Sequence, residues 1–351
     1  MMVSVGLTAC SQQENAANDK GAVESNAAVA NVTVEGNHVT AEITENVKID
    51  AEIQGQQEAS CTIYKATGKE FDRNLLETIF WQDTSGLSRE EDTEDNTYLV
   101  EDTVGGYLGV DSDRIWYQKN DYVQDLSTLV QYCYKQKMKN MSEEEKQTLL
   151  QENSVQKAVE ILNRICPLKE DEKLSITKGT KIDMEDIIQC QNEKNMSDIK
   201  TMTQELLGEN AYYITFSLEK QNIPLVSQGE PDFVSVSESV DTRFAGVTMI
   251  VDEQGIQFLD MAGTYELTEE RSGSILSVQE AAQAVAKEYT DQISEDKVTF
   301  DKVWLEYVWA LEDSSANLSE GTLQPYWIFV DSEKEWGERI NAVTGVNFKY
   351  E

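Results

Sequence analysis

The stretch Leu276-Ser277-Val278-Gln279-Glu280-Ala281-Ala282-Gln283-Ala284-Val285-Ala286-Lys287-Glu288-Tyr289 decides how the chain is read. Ser277 is a helix N-cap, and Glu280 three residues on can return a bond to the cap's own backbone N–H, which makes a capping box. Ala281, Ala284, Val285 and Tyr289 then recur at three- and four-residue steps, so a stripe of mostly small side chains faces a partner. Small residues let a helix lie close on a sheet, and strand-like sequence follows. Val303, Leu305, Tyr307, Trp309 and Leu311 fall on one face of a period-two pattern, with Trp304, Glu306 and Val308 on the other. Pro325-Tyr326-Trp327-Ile328-Phe329-Val330 reads as a buried strand whose proline sits at its start, where a missing donor does least harm. A polar connection, 331–338, leads to Arg339-Ile340-Asn341-Ala342-Val343, the second arm of an antiparallel hairpin ending in the turn Thr344-Gly345.

This pattern resembles PepSY-type domains, which open on a Ser-x-x-Glu-Ala helix and close on a strand reading Val-Asp-Ala-x-Thr-Gly-x-Val. Here Leu276-Ser277-x-x-Glu280-Ala281 and Ile340-Asn341-Ala342-Val343-Thr344-Gly345-Val346 carry the likeness, with Asn341 where the pattern has Asp. Pro325–Phe329 and its hairpin partner also look like the C-terminal halves of YycI-like extracytoplasmic regulators, which carry a transmembrane anchor not found in this sequence. The likeness covers the last quarter of the chain. It implies a binding or regulatory role at the cell envelope, contact with a protease or a sensor kinase, and no catalytic residue.

Working outward, a second helix–strand–strand–strand pattern is expected over 197–266. Its helix would run from a Ser197 cap to Leu207 with Gly208 as the C′ residue, and strands follow at Ala211–Leu218, Gly246–Val251 and Ile256–Tyr265. The better copy spans 277–348, and a fainter one 71–118. Met249-Ile250-Val251-Asp252 and Ile328-Phe329-Val330-Asp331 end hairpin arms in the same way. The expected fold is therefore α+β, with antiparallel sheets each packed against a helix and a repeated PepSY- or cystatin-like unit. An N-terminal α+β domain over 32–168 and a C-terminal one over 169–351 are expected, divided at the polar run 169–173. Helices are expected at 71–80, 122–139 and 142–165, the last opening on the capping box Ser142–Glu145 and closed by Pro167.

The N-terminus points to location. Leu7-Thr8-Ala9-Cys10 ends a short apolar piece and resembles the lipobox of bacterial lipoproteins of the Gram-positive type, in which the cysteine becomes the lipidated first residue. Residues 1–9 then read as a signal-peptide remnant. They have no Lys or Arg and too short an apolar run, so the natural leader is expected to start further upstream. Residues 10–31 hold Ala, Asn, Gln, Glu, Ser and Gly with no aromatic side chain, a composition that cannot bury enough apolar surface to fold; it reads as a tether. Together these imply a membrane partner through a lipid on Cys10, an extracytoplasmic position, and an envelope protein or peptide as partner.

Composition removes several function classes. The chain has 29 basic and 65 acidic residues among 351, a net charge of −36, which repels nucleic acid and anionic lipid surfaces alike. No phosphate-cradling glycine loop occurs. His38 is the single histidine, at a turn beside the tether, a poor place to hold a general base. No metal, cofactor or catalytic residue is assigned. The acidic loop 90–95 reads as solvated charge, and Asp111-Ser112-Asp113 lacks the glycine and terminal glutamate of a calcium loop. Carboxylate pairs are inevitable among 65 acids, so a carboxylate-based envelope hydrolase or a glycan binder stays as the alternative; two facing carboxylates in an aromatic-walled cleft would favour it. The aromatics Trp304, Tyr307, Trp309, Tyr326, Trp327 and Phe329 are expected in the core. Cys61, Cys133, Cys166 and Cys190 allow three pairings, and buried free thiols are the favoured reading.

Overall fold

The computed structural model describes residues 30–55, 58–92, 97–111, 114–139, 141–194, 196, 199–225, 246–290, 296–310, 320–334 and 336–347. Cys10, most of the tether and the Ser197 cap lie outside them.

Around the stretch quoted first, local chemistry and packing agree. Ser277 and Glu280 close the expected capping box: the Ser277 N–H donates to Glu280 Oε2 at 2.7 Å, and the Glu280 N–H to Ser277 Oγ at 3.3 Å. The helix runs Val278–Thr290 and buries Val278, Ala281, Ala282, Val285, Ala286 and Tyr289. Val278, Ala281, Ala282, Val285 and Tyr289 share one core with Phe300, Val303, Leu305, Tyr307, Trp327 and Phe329. Trp327 is 1 % exposed, and its indole N–H donates to the Leu276 carbonyl at 2.8 Å, tying the helix start to the sheet. Asn341 organises the turn after the last strand. Its side-chain oxygen accepts from the N–H groups of Val343 and Thr344 at 2.9 and 3.0 Å, with Gly345 at φ +72°.

The sheet under this helix has eight strands. Its order is Thr33–Glu35, His38–Glu42, Val47–Ile53, Val298–Ala310, Glu320–Asp331, Ser60–Gly68 and Tyr265–Ser274, with Trp336–Asn341 also paired to Glu320–Asp331. Glu320–Asp331 shares one edge between two partners: 320–323 against 64–67, and 326–331 against 336–341. All pairs are antiparallel except Val47–Ile53 with Val298–Ala310. Val308, Tyr326, Ile328 and Val330 are buried on the second face with half-buried Trp304, and Glu306 beside them is 5 % exposed, so this sheet is covered on both sides.

The second sheet has nine strands, in the order Ile223–Pro224, Tyr212–Lys220, Gly246–Asp252, Gly255–Ala262, Arg114–Gln118, Tyr107–Val110, Thr97–Glu101 and Ser88–Asp92, with Glu172–Lys181 on the other side of Tyr212–Lys220. Alternation sends its side chains to two cores. Ile214, Met249, Val251 and Leu259 meet Val155, Ala158 and Leu162 of the helix Asn153–Ile165 and Leu76 of the helix Arg73–Phe80. Tyr213 and Ile250 meet Leu126, Leu129 and Val130 of Val123–Lys139 and Ile187 of Met184–Lys194. The sheets join where Ile223 and Leu225 enter the first core and Leu225 bridges to Tyr307.

Several expectations need correction. The division at 168/169 separates neither sheet, because each draws strands from both sides of it. No α-helix covers 199–207; Gln204–Leu206 is one 3₁₀ turn, and the Gly208 N–H donates to Asp252 Oδ2 instead of ending a helix. Residues 142–165 form two helices, Glu143–Gln151 and Asn153–Ile165, because Glu152 leaves helical geometry at ψ 133°; the Ser142–Glu145 box is present. Of the acidic loop 90–95, Glu90, Glu91 and Asp92 belong to the exposed edge strand Ser88–Asp92, and 93–95 lie outside the described residues. Cys133 and Cys190 are joined by a disulfide between two neighbouring helices, while Cys61 and Cys166 are free thiols. No helix among the described residues is long and apolar enough to cross a membrane.

Candidate ligand-binding cleft

A cleft of about 860 Å³ opens at one end of the second sheet. Five segments far apart in sequence build it: the end of Arg73–Phe80, the turn 102–106, Lys119 and Asn120 after the strand Arg114–Gln118, the hairpin turn 253–255, and Ile161 of Asn153–Ile165.

Its wall is aromatic. Asp72 caps Arg73–Phe80 by accepting the Leu75 N–H at 3.0 Å, and Trp81 ends it in extended geometry (φ −127°, ψ 134°). Phe80 stacks on Tyr117 with ring centroids 4.0 Å apart and planes 18° apart, and Trp81 meets Tyr117 edge-on at 5.7 Å. Phe80 and Trp81 are half-buried, whereas Tyr117 is 4 % exposed and belongs to the core. Burial pushes the Tyr117 hydroxyl well above the ordinary phenol range, with the charge of Asp102 adding to it, so the ring stays neutral.

Glu77 anchors the helix that carries this wall. It is 5 % exposed and accepts from Arg89 Nε at 2.8 Å and Arg89 Nη2 at 2.5 Å, and from the Tyr98 hydroxyl. The Arg89 bonds hold the Glu77 carboxyl below the usual carboxylate range despite burial. Helix and edge strand are thereby locked, and the rings at the helix end inherit that order.

Asp102 holds the other side. Trp81 Nε1 donates to its Oδ2 at 2.8 Å, and the N–H groups of Val104 and Gly106 donate to its Oδ1 at 2.8 and 2.7 Å. A Cβ on Gly106 would lie 2.3 Å from Asp102 Oδ2, so only glycine lets the carboxylate approach. Burial raises the Asp102 carboxyl, but the indole and amide donors outweigh it and hold it below the ordinary range. A folded-state value below the unfolded one makes the linked stability present above about pH 4 and lost as pH falls through the folded value. Asp102→Asn, whose amide N–H₂ would face the indole N–H, is expected to lower the urea midpoint at pH 7, with the gap to the wild type shrinking by pH 3. Equal midpoints at pH 7 would contradict this role.

The floor near the second hairpin is set by Asp252, 1 % exposed. It accepts from the Gln254 N–H and Gln257 Nε2, each at 2.8 Å, and Gly255 turns the chain at φ +121°. Lys119 donates its backbone N–H to the Gln257 carbonyl at 2.9 Å and its ammonium to Gln254 Oε1 at 2.8 Å. The charged lining is thus one spent carboxylate and one ammonium, with several neutral amides beside them.

Among the residues weighed from sequence, His38 bonds Asp50 at 2.7 Å on an exposed hairpin and is not part of the cleft lining. Tyr307, Tyr326, Trp327 and Phe329 are core, Trp304 is half-buried, and the Trp309 side chain lies outside the described residues. Asp111 serves its turn by accepting the Arg114 N–H at 2.8 Å. No group of three or more potential metal ligands occurs among the described residues. Sequence reasoning missed Phe80, Trp81, Asp102, Tyr117, Lys119 and Gln254. The signal present was the run Asp102-Thr103-Val104-Gly105-Gly106, a side-chain acceptor ahead of two glycines.

No protein-family model and no curated protein sequence matches the chain. A crystal structure of a protein from Eubacterium rectale ATCC 33656, described as uncharacterized, is similar at 15% identity with a TM-score of 0.53, over 90% of this chain and 94% of that one. The likeness is one of fold: a mixed α+β arrangement.

Proposed function

We propose that the chain is a lipid-anchored extracytoplasmic protein of the cell envelope that binds a partner or ligand, without catalytic activity, and that the aromatic-walled cleft is where it binds. The cleft carries this reading. It offers ordered rings and amides, and its one lining carboxylate, Asp102, spends its oxygens on the protein's own donors. A group held ionised in that way serves poorly as a general acid, and a hydrolytic pair needs a second facing carboxylate, which the described lining lacks.

Other features support the location. The lipobox-like Leu7–Cys10 and the tether suit an anchor, and a structural disulfide such as Cys133–Cys190 persists in oxidising compartments. Val278–Thr290 with strands Val298–Ala310, Glu320–Asp331 and Trp336–Asn341 follows the element order of a PepSY-like unit. Tyr212–Lys220, Gly246–Asp252 and Gly255–Ala262 form a comparable three-strand run, and buried Asp252 and Asp331 both accept turn N–H groups at hairpin ends. These parallels support a repeated strand unit, with the helix kept in the second copy.

Metabolic lipid labelling of the full-length gene product tests the anchor. Label is expected on the wild type and lost in Cys10→Ala; equal labelling defeats it. Crosslinking from intact cells tests the binding reading: the captured species is expected to vanish with Trp81→Ala, and its persistence removes the cleft from consideration.

A further inference from the structure

The polar groups around the cleft also say something about what it holds. Several lysines in this acidic chain end on carboxylates: Lys173 on Glu219 at 3.0 Å, Lys220 on Asp171 at 2.7 Å, and Lys200 on Asp121. Lys119 does not. Its backbone is fixed by the Gln257 carbonyl, its ammonium rests on the neutral Gln254 side chain at 2.8 Å, and no carboxylate lies within ion-pair distance of it among the described residues. Lys119, a half-buried residue, lines the same cleft as Phe80 and Trp81. Gln254 is placed by the turn that Asp252 organises, so the Lys119–Gln254 pair stands ordered before any ligand arrives. Asp102, in the same lining, makes no ion pair with Lys119; its oxygens accept from Trp81 and the turn amides, which leave its charge in place and direct an incoming anion to the Lys119 end.

We infer that the cleft takes a ligand with a carboxylate next to an apolar or ring-shaped body, the carboxylate on Lys119 and the body against Phe80 and Trp81. This rests on the binding reading of the cleft and adds the class of ligand. An ammonium resting on a neutral amide gains from an anion that reaches it directly, and aromatic faces favour flat or apolar groups over extended polar chain. Such a carboxylate has two sources at an envelope: the free C-terminus of a peptide, or an acidic sugar. The net charge of −36 repels either one at long range, while the Lys119 contact acts within a Debye length of about 8 Å at physiological salt. Association is therefore expected to speed up as ionic strength rises, opposite to ordinary steered binding.

Matched pairs test this by calorimetry on the whole chain: N-acetyl-Ala-Phe with a free carboxylate against its C-terminal amide, and N-acetylmuramic acid against its own carboxamide. One acid is expected to bind about tenfold more tightly than its neutral partner, identifying the source. Lys119→Gln is expected to erase that preference by weakening the acid about tenfold. Equal binding within both pairs, abolished by Trp81→Ala, would overturn the carboxylate assignment and leave the cleft as the binding site. A preference that survives Lys119→Gln would overturn the role of Lys119. Absence of binding by all four compounds would count against the cleft itself.

Discussion

Replacing Cys133 and Cys190 together by alanine is expected to lower the unfolding free energy by about 4 kcal/mol, the estimate for closing a loop of this length. The bond spans 57 residues and joins Val123–Lys139 to Met184–Lys194, the two helices that cover one face of the nine-stranded sheet. Between them in the chain run two further helices and the strand Glu172–Lys181, so breaking the bond frees a long segment in the unfolded ensemble. In the folded state the helices still share Leu126, Leu129, Val130 and Ile187 with the sheet, so secondary structure is expected to survive. Urea titration of oxidised wild type, reduced wild type and the double variant checks this. The last two should coincide, well below the first. If reduction leaves the midpoint unmoved, the bond contributes nothing and the extracytoplasmic placement loses a support.

The second large effect is expected at Lys220. Its side chain is 5 % exposed, bonds Asp171 at 2.7 Å and Glu172 at 3.0 Å, and lies 5.5 Å from the centre of the Tyr64 ring, where the two sheets meet. Lys220→Met keeps volume but leaves Glu172, 11 % exposed, without its cation; a loss of about 3 kcal/mol is expected for breaking such a pair. Adding Glu172→Gln should recover part of the loss, because the uncompensated charge is what costs most. Burial pulls the Lys220 ammonium down, but its two carboxylate partners win and hold it above the ordinary lysine value. With the folded value above the unfolded one, its contribution is fully present below about pH 10 and is lost as pH rises through the folded value. The gap between wild type and Lys220→Met should therefore be flat across neutral pH and narrow only in strong base. A midpoint within error of the wild type would show that the pair is energetically idle.

Local physics was legible wherever one segment carried all of it. The Ser277–Glu280 and Ser142–Glu145 boxes, the buried face of Val278–Thr290 and the two-sided burial of Val298–Ala310 follow from spacing alone. Where the reading failed, distant residues had changed the outcome. The run 199–207 has helical character but settles as a 3₁₀ turn, and Gly208 beside it is held by Asp252, forty-four residues on. Residues 90–92 of the acidic run 90–95 read as loop, yet Thr97–Glu101 offers backbone partners to Ser88–Asp92, and Arg89 reaches Glu77. The domain boundary failed for a related reason. Strand partners are chosen by register and burial, and nothing in the polar run 169–173 records that Ser60–Gly68 pairs with Tyr265–Ser274.

The sequence by itself determined the α+β class, the capped C-terminal helix and its strands, and the acidic charge balance. Each depends on composition or on residues within one or two turns of each other. Only the tertiary structure decided which cysteines pair, that two sheets interleave the halves of the chain, and that Trp81, Asp102, Tyr117, Lys119 and Gln254 meet around one cleft. Those residues span more than half of the chain's described length and have no shared period. What brings them together is the pairing of Gly255–Ala262 with Arg114–Gln118, a non-local ladder whose partners are selected by the buried faces they complete.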